Sequence, residues 1–372
     1  MEFMNKNFGF GCMRLPMKDG EVDTEEFSRM VDTFLENGFN YFDTAHGYLG
    51  GKSETALRTC LTSRYPRDRY ILTDKLTNFF FKKQEDIRPL FESQLKACGV
   101  EYFDLYLMHA QGADNFAYFK KCRAYETALE LMAEGKFRHF GISFHDRAEV
   151  LEQILNEYPQ IEVVQIQFNY VDYEDPAVES RKCYEVCRKF GKPVIVMEPV
   201  KGGTLAALPR QAEELFKGYA PDMSVSSWAV RFAASLDNVM MVLSGMSSME
   251  QVEDNVGYME DFRPFNEEET DLVRKAADII NEATAVPCTG CSYCTDGCPA
   301  KIAIPQYFSL YNEDMREAAD KGWTANVTNY RQLTAKFGRA GDCMACGQCE
   351  SMCPQHLPII EHLKAVSEHY DK

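Results

Sequence analysis

Asp104-Leu105-Tyr106-Leu107-Met108-His109 is a short apolar run that stops on a histidine. Its length and composition are those of a strand buried on both faces. Counted as Phe103–Met108, it is the fourth of eight such runs. The others are Phe8–Cys12, Asn40–Thr44, Tyr70–Lys75, His139–Ser143, Val163–Gln167, Val194–Glu198 and Val239–Ser244. Helical patterns separate them. Phe27, Met30, Val31, Phe34 and Leu35 form an i, i+3, i+4, i+7, i+8 stripe that starts after Asp23 and Thr24 and stops at Gly38. Tyr125, Ala128, Leu129 and Met132 repeat that design before Gly135. Eight strands alternating with helices over residues 1–285 predict an α/β architecture, a closed (β/α)8 TIM barrel. An open doubly wound sheet would carry GxGxxG after its first strand. Here Gly9-Phe10-Gly11 continues into Cys12-Met13-Arg14 with no third glycine in register.

The 372 residues include 57 acidic and 40 basic side chains, a net charge of −17, and 45% are apolar. This is ample material for a core, and the acidic balance argues against nucleic acid as a partner. No apolar run is long enough to span a membrane, and the start MEFMNKNFGFG lacks the pattern of a signal peptide, so a cytoplasmic protein is expected. Gly47-Tyr-Leu-Gly-Gly51-Lys52-Ser53 comes close to a phosphate-binding P-loop, but His46 stands where its first glycine is required.

Six of the fourteen cysteines are scattered: Cys12, Cys60, Cys98, Cys122, Cys183 and Cys187. They lack ligand spacing and read as core thiols. The other eight form two copies of one pattern in a second domain, residues 286–372. Cys288-x2-Cys291-x2-Cys294-x3-Cys298-Pro299 is followed by Cys343-x2-Cys346-x2-Cys349-x3-Cys353-Pro354. Cys-x2-Cys-x2-Cys converges three thiolates on one face of a cubane, and in two-cluster ferredoxins the fourth cysteine serves the other cluster. Cys288, Cys291, Cys294 and Cys353 are therefore assigned to one 4Fe–4S cluster, and Cys343, Cys346, Cys349 and Cys298 to a second. A pair of zinc sites is the plainer alternative, but such sites usually pair two CxxC units. Helix-like stretches at 305–320 and 327–337 make this a mainly α-helical ferredoxin-like domain.

Four polar residues stand at or just beyond the C-terminal ends of successive strands, the rim where barrel active sites are built. They are Asp43, Tyr48 in the loop after it, Lys75 and His109. Each has an ordinary alternative, such as a turn cap, half-buried packing, a snorkelling amine or a rim histidine. Together with Gly9-Phe-Gly11, Phe42-Asp-Thr-Ala-His-Gly-Tyr48, Ser53-Glu54 and Gly141-Ile-Ser143, the quartet resembles the aldo-keto reductases over residues 5–258. With the cysteine tail, the chain resembles the iron–sulfur branch of that family.

The resemblance implies an oxidoreductase that reduces a carbonyl, or oxidises an alcohol, with a nicotinamide cofactor. Reduction by hydride leaves an alkoxide, which needs a proton donor. Tyr48 takes that role. Lys75, held by Asp43, is expected to lower its pKa, and His109 to orient the carbonyl. The resemblance also assigns Ser143 and Gln165 to the nicotinamide carboxamide, and Lys201-Gly202-Gly203, Ser244 and Gly245 to the pyrophosphate region. Asn255 falls at the adenine-contacting position. Phe144 and Met197 depart from the family pattern. Ser247-x-x-Glu250 is equally an ordinary capping box. Gly245 and Gln251 stand where NADP-specific members place Lys and Arg, with Glu250, Glu253 and Asp254 close by, so NAD(H) is favoured over NADP(H). The clusters pass single electrons and imply a ferredoxin or other redox partner, or an allosteric role. A ferredoxin-driven reductase that has lost tight dinucleotide binding, and a non-catalytic redox-sensing subunit, stay open as alternatives.

Overall fold

The computed structural model of the chain describes residues 6–316 and 324–371. Eight parallel strands close a barrel: β1 (Phe8–Gly11), β2 (Tyr41–Asp43), β3 (Ile71–Leu76), β4 (Phe103–Gln111), β5 (Phe137–Phe144), β6 (Val163–Gln167), β7 (Val194–Met197) and β8 (Val239–Gly245). Each pairs with its neighbours in sequence, and β1 closes on β8 through Phe8↔Val242 to Gly11↔Gly245. Tyr41, Ile71, Leu105, Leu107, Ile195 and Met241 fill the interior, so the barrel is a packed core and not a pore.

Local chemistry sets the helices. Asp23 caps Thr24–Glu36 by accepting from the Glu26 amide at 3.0 Å. Phe27, Met30, Val31, Phe34 and Leu35 are buried, and the rings of Phe27 and Phe34 meet Phe10 edge-on at 5.6 and 5.5 Å. The stripe on Ala124–Ala133 is turned from the one expected. Ala124, Thr127, Ala128 and Leu131 are buried beside Tyr125, while Leu129 and Met132 are only half-buried. A hairpin of Met17–Lys18 and Glu21–Val22 was not anticipated, although Asp19-Gly20, both at positive φ, is a strong hairpin-turn signal.

By contacts the chain divides into two compact units. One comprises Met1–Asp175, Glu179–Pro199 and Ser227–Asn266; the other comprises Pro176–Val178, Val200–Ser226 and Glu267–Lys372. The second unit carries the helices Arg210–Tyr219 and Glu267–Glu282, then Ile304–Arg316, Ala325–Thr334, Gln348–Ser351 and Ile359–Tyr370. Residues 317–320 of the stretch expected to be helical lie outside the described residues. Tyr307, Phe308, Ile304, Leu363 and Val366 centre a separate small core. Among the described residues no helix is long and apolar enough to cross a membrane.

Candidate functional site

Asp43 ends β2 and Lys75 lies one residue from the end of β3, so neighbouring strands bring them together. The Lys75 ammonium, with no solvent exposure, donates to Asp43 Oδ1 at 2.5 Å and to the Thr44 carbonyl at 2.7 Å. Gln165 of β6 donates from Nε2 to the other Asp43 oxygen at 3.1 Å. Burial pushes the Asp43 carboxyl up, and Lys75 and Gln165 pull against it. Tyr48 opens a 3-10 turn, Tyr48–Gly51. Lys75 Nζ lies 5.0 Å from the centre of its ring, within cation–π range. The His109 ring stands edge-on to Tyr48, with centroids 6.0 Å apart.

His109 is positioned by an irregularity the sequence did not announce. β4 runs past its expected end, and its pairing with β5 shifts register between Met108 and Gln111. Ala110 has φ +51, so the strand bulges and re-aims the histidine. Side chains take up the displaced backbone groups. Ser143 Oγ accepts from the Ala110 amide at 2.8 Å, and Gln111 Nε2 donates to the His109 carbonyl at 2.9 Å. His109 Nδ1 is 2.7 Å from the Thr77 hydroxyl. Burial first, then the charges of Lys75 and His145, hold its pKa well below the usual histidine value, so the ring is neutral at pH 7.

One expectation is reversed. Lys75 was to make the Tyr48 phenol acidic. Instead burial first, then Asp43, Glu198, Asp74 and Cys12, hold it well above its ordinary value near 10. The ammonium is engaged by Asp43 and the Thr44 carbonyl, and its charge does not outweigh burial and the nearby carboxylates. Glu198 had been seen only as the end of a strand run. It follows β7 at φ +57, within 3.9 Å of Arg14.

Ser143 and Gln165 are paired across β5 and β6, both buried. Ser244 and Asn255 meet at 3.3 Å, and the Tyr258 hydroxyl donates to Asn255. Gly245 is exposed at the end of β8. The cap of Met249–Glu260 is Ser248, one residue later than expected: its Oγ accepts from Gln251 N, while the Gln251 side chain accepts from the Ser247 amide. Lys201, Gly202 and Gly203 fall in the second unit, where Gly202 packs against Thr289.

In that unit the eight tail cysteines line two cavities. Cys288, Cys291, Cys294 and Cys353 surround one, with Phe308, Leu357 and Ile359 completing its wall. Cys298, Cys343, Cys346 and Cys349 surround the other, with Ile302, Ile360 and Leu363. Ile304 lines both. Four thiols in a cavity with no charged residue in its wall are a donor set that suits a cubane cluster. The first three cysteines of each run share a cavity with the fourth cysteine of the other run. Gly297 explains part of this crossing, because a Cβ there would lie 1.8 Å from the side chain of Gln348, so the two runs are in direct contact.

The model described as the aldo/keto reductase family matches residues 7–278. The chain belongs to that family. A 4Fe-4S dicluster domain matches residues 287–358 of this aldo/keto reductase. It is 23% identical over 287 residues to the NADH-specific methylglyoxal reductase of Escherichia coli, covering 65% of this chain and 85% of that protein. Over 285 residues it is 26% identical to the uncharacterized oxidoreductase YqkF of Bacillus subtilis, covering 67% and 85%. Among solved structures it resembles the holo form of AKR11C1 from Bacillus halodurans, with TM-score 0.60 and 26% identity, covering 73% of this chain and 91% of that one. An aldo-keto reductase from Klebsiella pneumoniae in complex with NADPH has the same TM-score and coverage at 19% identity, a likeness of fold. The protein is an aldo-keto reductase-type oxidoreductase with an iron–sulfur domain.

Proposed function

We propose that the barrel interconverts a small carbonyl compound and its alcohol with a nicotinamide cofactor, and that two 4Fe–4S clusters in the tail exchange electrons with a redox protein. The observation that carries the first half is the convergence of Tyr48, His109 and the sealed Lys75–Asp43 pair at the barrel rim. The bound nicotinamide supplies the hydride; this chain's side chains do the rest. His109 is neutral, and with Nδ1 accepting from Thr77 its Nε2–H donates to the substrate carbonyl and orients it. Tyr48 gives its proton to the oxygen as charge develops there and regains one from solvent. A phenol held above its ordinary range keeps that proton at pH 7 until negative charge develops on the substrate oxygen. Lys75, fixed by Asp43, presents positive charge beside the Tyr48 ring.

Ser143 and Gln165 are proposed to bind the carboxamide, and Ser244, Gly245 and Asn255 the remainder of the dinucleotide. Lys201–Gly203 is left out of that site because Gly202 packs against Thr289. NADH is preferred over NADPH, since Glu250, Glu253 and Asp254 repel a 2′-phosphate; one relative is NADH-specific by name. The clusters, once loaded on the eight cysteines, pass electrons singly. A cytoplasmic setting, reducing enough to keep these thiols free, belongs to the proposal.

A second reading has support from Phe144, Met197, Gly245 and Gln251: electrons enter from a reduced ferredoxin, and dinucleotide binding is weak. Anaerobic addition of NADH or NADPH, with and without a carbonyl panel, separates the two when nicotinamide absorbance and cluster EPR are followed together. Carbonyl-dependent oxidation, faster with NADH, supports the first reading. Cluster reduction without turnover supports the second, and faster oxidation of NADPH overturns the cofactor preference.

A further inference from the structure

The cavity of Cys298, Cys343, Cys346 and Cys349 reaches the surface of the second unit. Cys346 is exposed, and Met344, which lines the same cavity, is 63% exposed. In the other cavity none of the four cysteines is exposed.

Around the open cavity the charge balance of the chain inverts. Residues 297–304 and 331–349, which supply most of its wall, carry four basic side chains, Lys301, Arg331, Lys336 and Arg339, against one acid, Asp342. Over the whole chain acids outnumber bases, 57 to 40. Residues 287–296 and 353–359, most of the wall of the other cavity, hold no lysine or arginine.

Backbone geometry gathers these charges at one edge. Ile302 bridges to Gly338, whose amide donates to the Lys301 carbonyl at 3.2 Å. A Cβ at Gly338 would lie 2.1 Å from the Ala300 carbonyl oxygen, so 336–339 packs directly on 300–302. Lys301 is held at φ +52, with its amide donating to the Cys298 carbonyl at 3.0 Å. On the other side Asp342, next to Cys343, accepts from the Arg339 amide at 2.8 Å. Asp371 also reaches this edge, accepting from the Gly341 amide at 3.1 Å, so acid is present but outnumbered. All four basic side chains are exposed, and among the described residues none is held in an ion pair. Phe337, between Lys336 and Arg339, is 42% exposed.

Resting on the reading of this cavity as a 4Fe–4S site, we propose that Lys301, Lys336, Phe337, Arg339 and Met344 form the docking surface for a small acidic one-electron carrier protein. Basic side chains around an apolar edge steer such a carrier in and exclude basic ones. Met344 and Phe337 supply the water-free contact, and a thioether adapts to the partner's shape. Each encounter moves one electron: the carrier's iron–sulfur centre is oxidised by one unit and the second cluster reduced by one, with no bond made or broken. The second cluster is thus the port for external electrons, and the first lies behind it.

The test uses the full-length protein, reconstituted anaerobically, with a strongly acidic two-cluster bacterial ferredoxin as probe. Binding of the oxidised ferredoxin is read by calorimetry, and transfer from the reduced ferredoxin by stopped-flow absorbance. Raising ionic strength from about 0.01 to about 0.15 M is expected to weaken binding about tenfold or more. Bound ferredoxin is expected to slow amide exchange in 299–302 and 336–346 and not in 288–296. Lys301→Glu with Lys336→Glu and Arg339→Glu is expected to weaken binding and slow transfer about tenfold or more, with iron content and reduction by dithionite unchanged. Lys336→Glu with Arg339→Glu, neither in the cavity wall, shows about a threefold loss and serves where the triple variant loads iron poorly. The same reversals at the exposed Lys83, Lys96 and Lys121 of the barrel leave both readouts at wild type. A wild-type chain that loads no iron refutes the cluster reading and this proposal with it. A loaded chain overturns the docking surface alone if its ferredoxin binding ignores salt, if the tail reversals match the barrel ones, or if protection falls on 288–296.

Discussion

Tyr48 and His109 are displaced from their ordinary pKa values in opposite directions, and both displacements favour the neutral form at pH 7. The sign gives a prediction. A phenol held well above about 10 and an imidazole held well below about 6.5 do not change charge between about pH 7 and 9, so carbonyl reduction is expected to be flat there. A pH–rate profile with a break in that window attributable to either residue contradicts the geometry. Replacing Tyr48→Phe removes the donor without touching the Lys75–Asp43 pair. The expected outcome is a fall in turnover of about 10²–10⁴-fold with nicotinamide affinity within twofold of wild type, checked by steady-state kinetics and equilibrium titration. The identities of these residues were legible because each stands at or near a strand end. Their electrostatics were not, because the reach of Glu198 and Asp74 toward Tyr48 depends on barrel closure that linear spacing does not record.

Elements were read best where periodicity is strict. β6 has the bounds read from Val163–Gln167, and Thr24–Glu36 buries the residues its stripe predicts. The extension and bulge of β4 were missed, since a bulge at His109–Ala110 contains neither glycine nor proline. In the tail, Asp314 on Ile304–Arg316 gathers hydrogen bonds from residues of other segments. Its carboxylate accepts from His369 at 2.9 Å, Tyr370 at 2.8 Å, Thr324 at 2.9 Å and Asn326 at 2.9 Å. Burial pushes its pKa up, but these donors outweigh burial and hold it below the usual aspartate range. The stabilisation is therefore fully present above about pH 3.9 and lost as pH falls through the lowered native value. Asp314→Asn is expected to cost about 1–3 kcal/mol and to flatten the acid limb of a denaturation series. Equal stability of wild type and variant near neutral pH would remove Asp314 from this role.

At the scale of the whole molecule, the order of a barrel followed by a cysteine-rich module was legible from strand count and motif duplication. The assignment of Val200–Ser226 to the second unit was not, because it rests on contacts such as those of Arg210–Tyr219 with Glu267–Glu282, far apart in sequence. The second unit's small core includes Cys294 and Cys349, so metal and packing are linked there. Stripping iron by oxidation and chelation is expected to raise amide exchange across 286–316 and 324–371 while β3, β4 and β6 keep their protection, as read by hydrogen-exchange mass spectrometry. Uniform protection before and after would sever that link. The scattered cysteines have a consequence for how the protein is made. All six are buried, whereas Cys346 is exposed and five of the other tail cysteines are part-exposed. A folded chain thus offers incoming iron and sulfide only the thiols of the tail. Maturation can follow folding without off-target capture by the catalytic half, and oxidants that strip the clusters find no second set of sulfurs to cross-link.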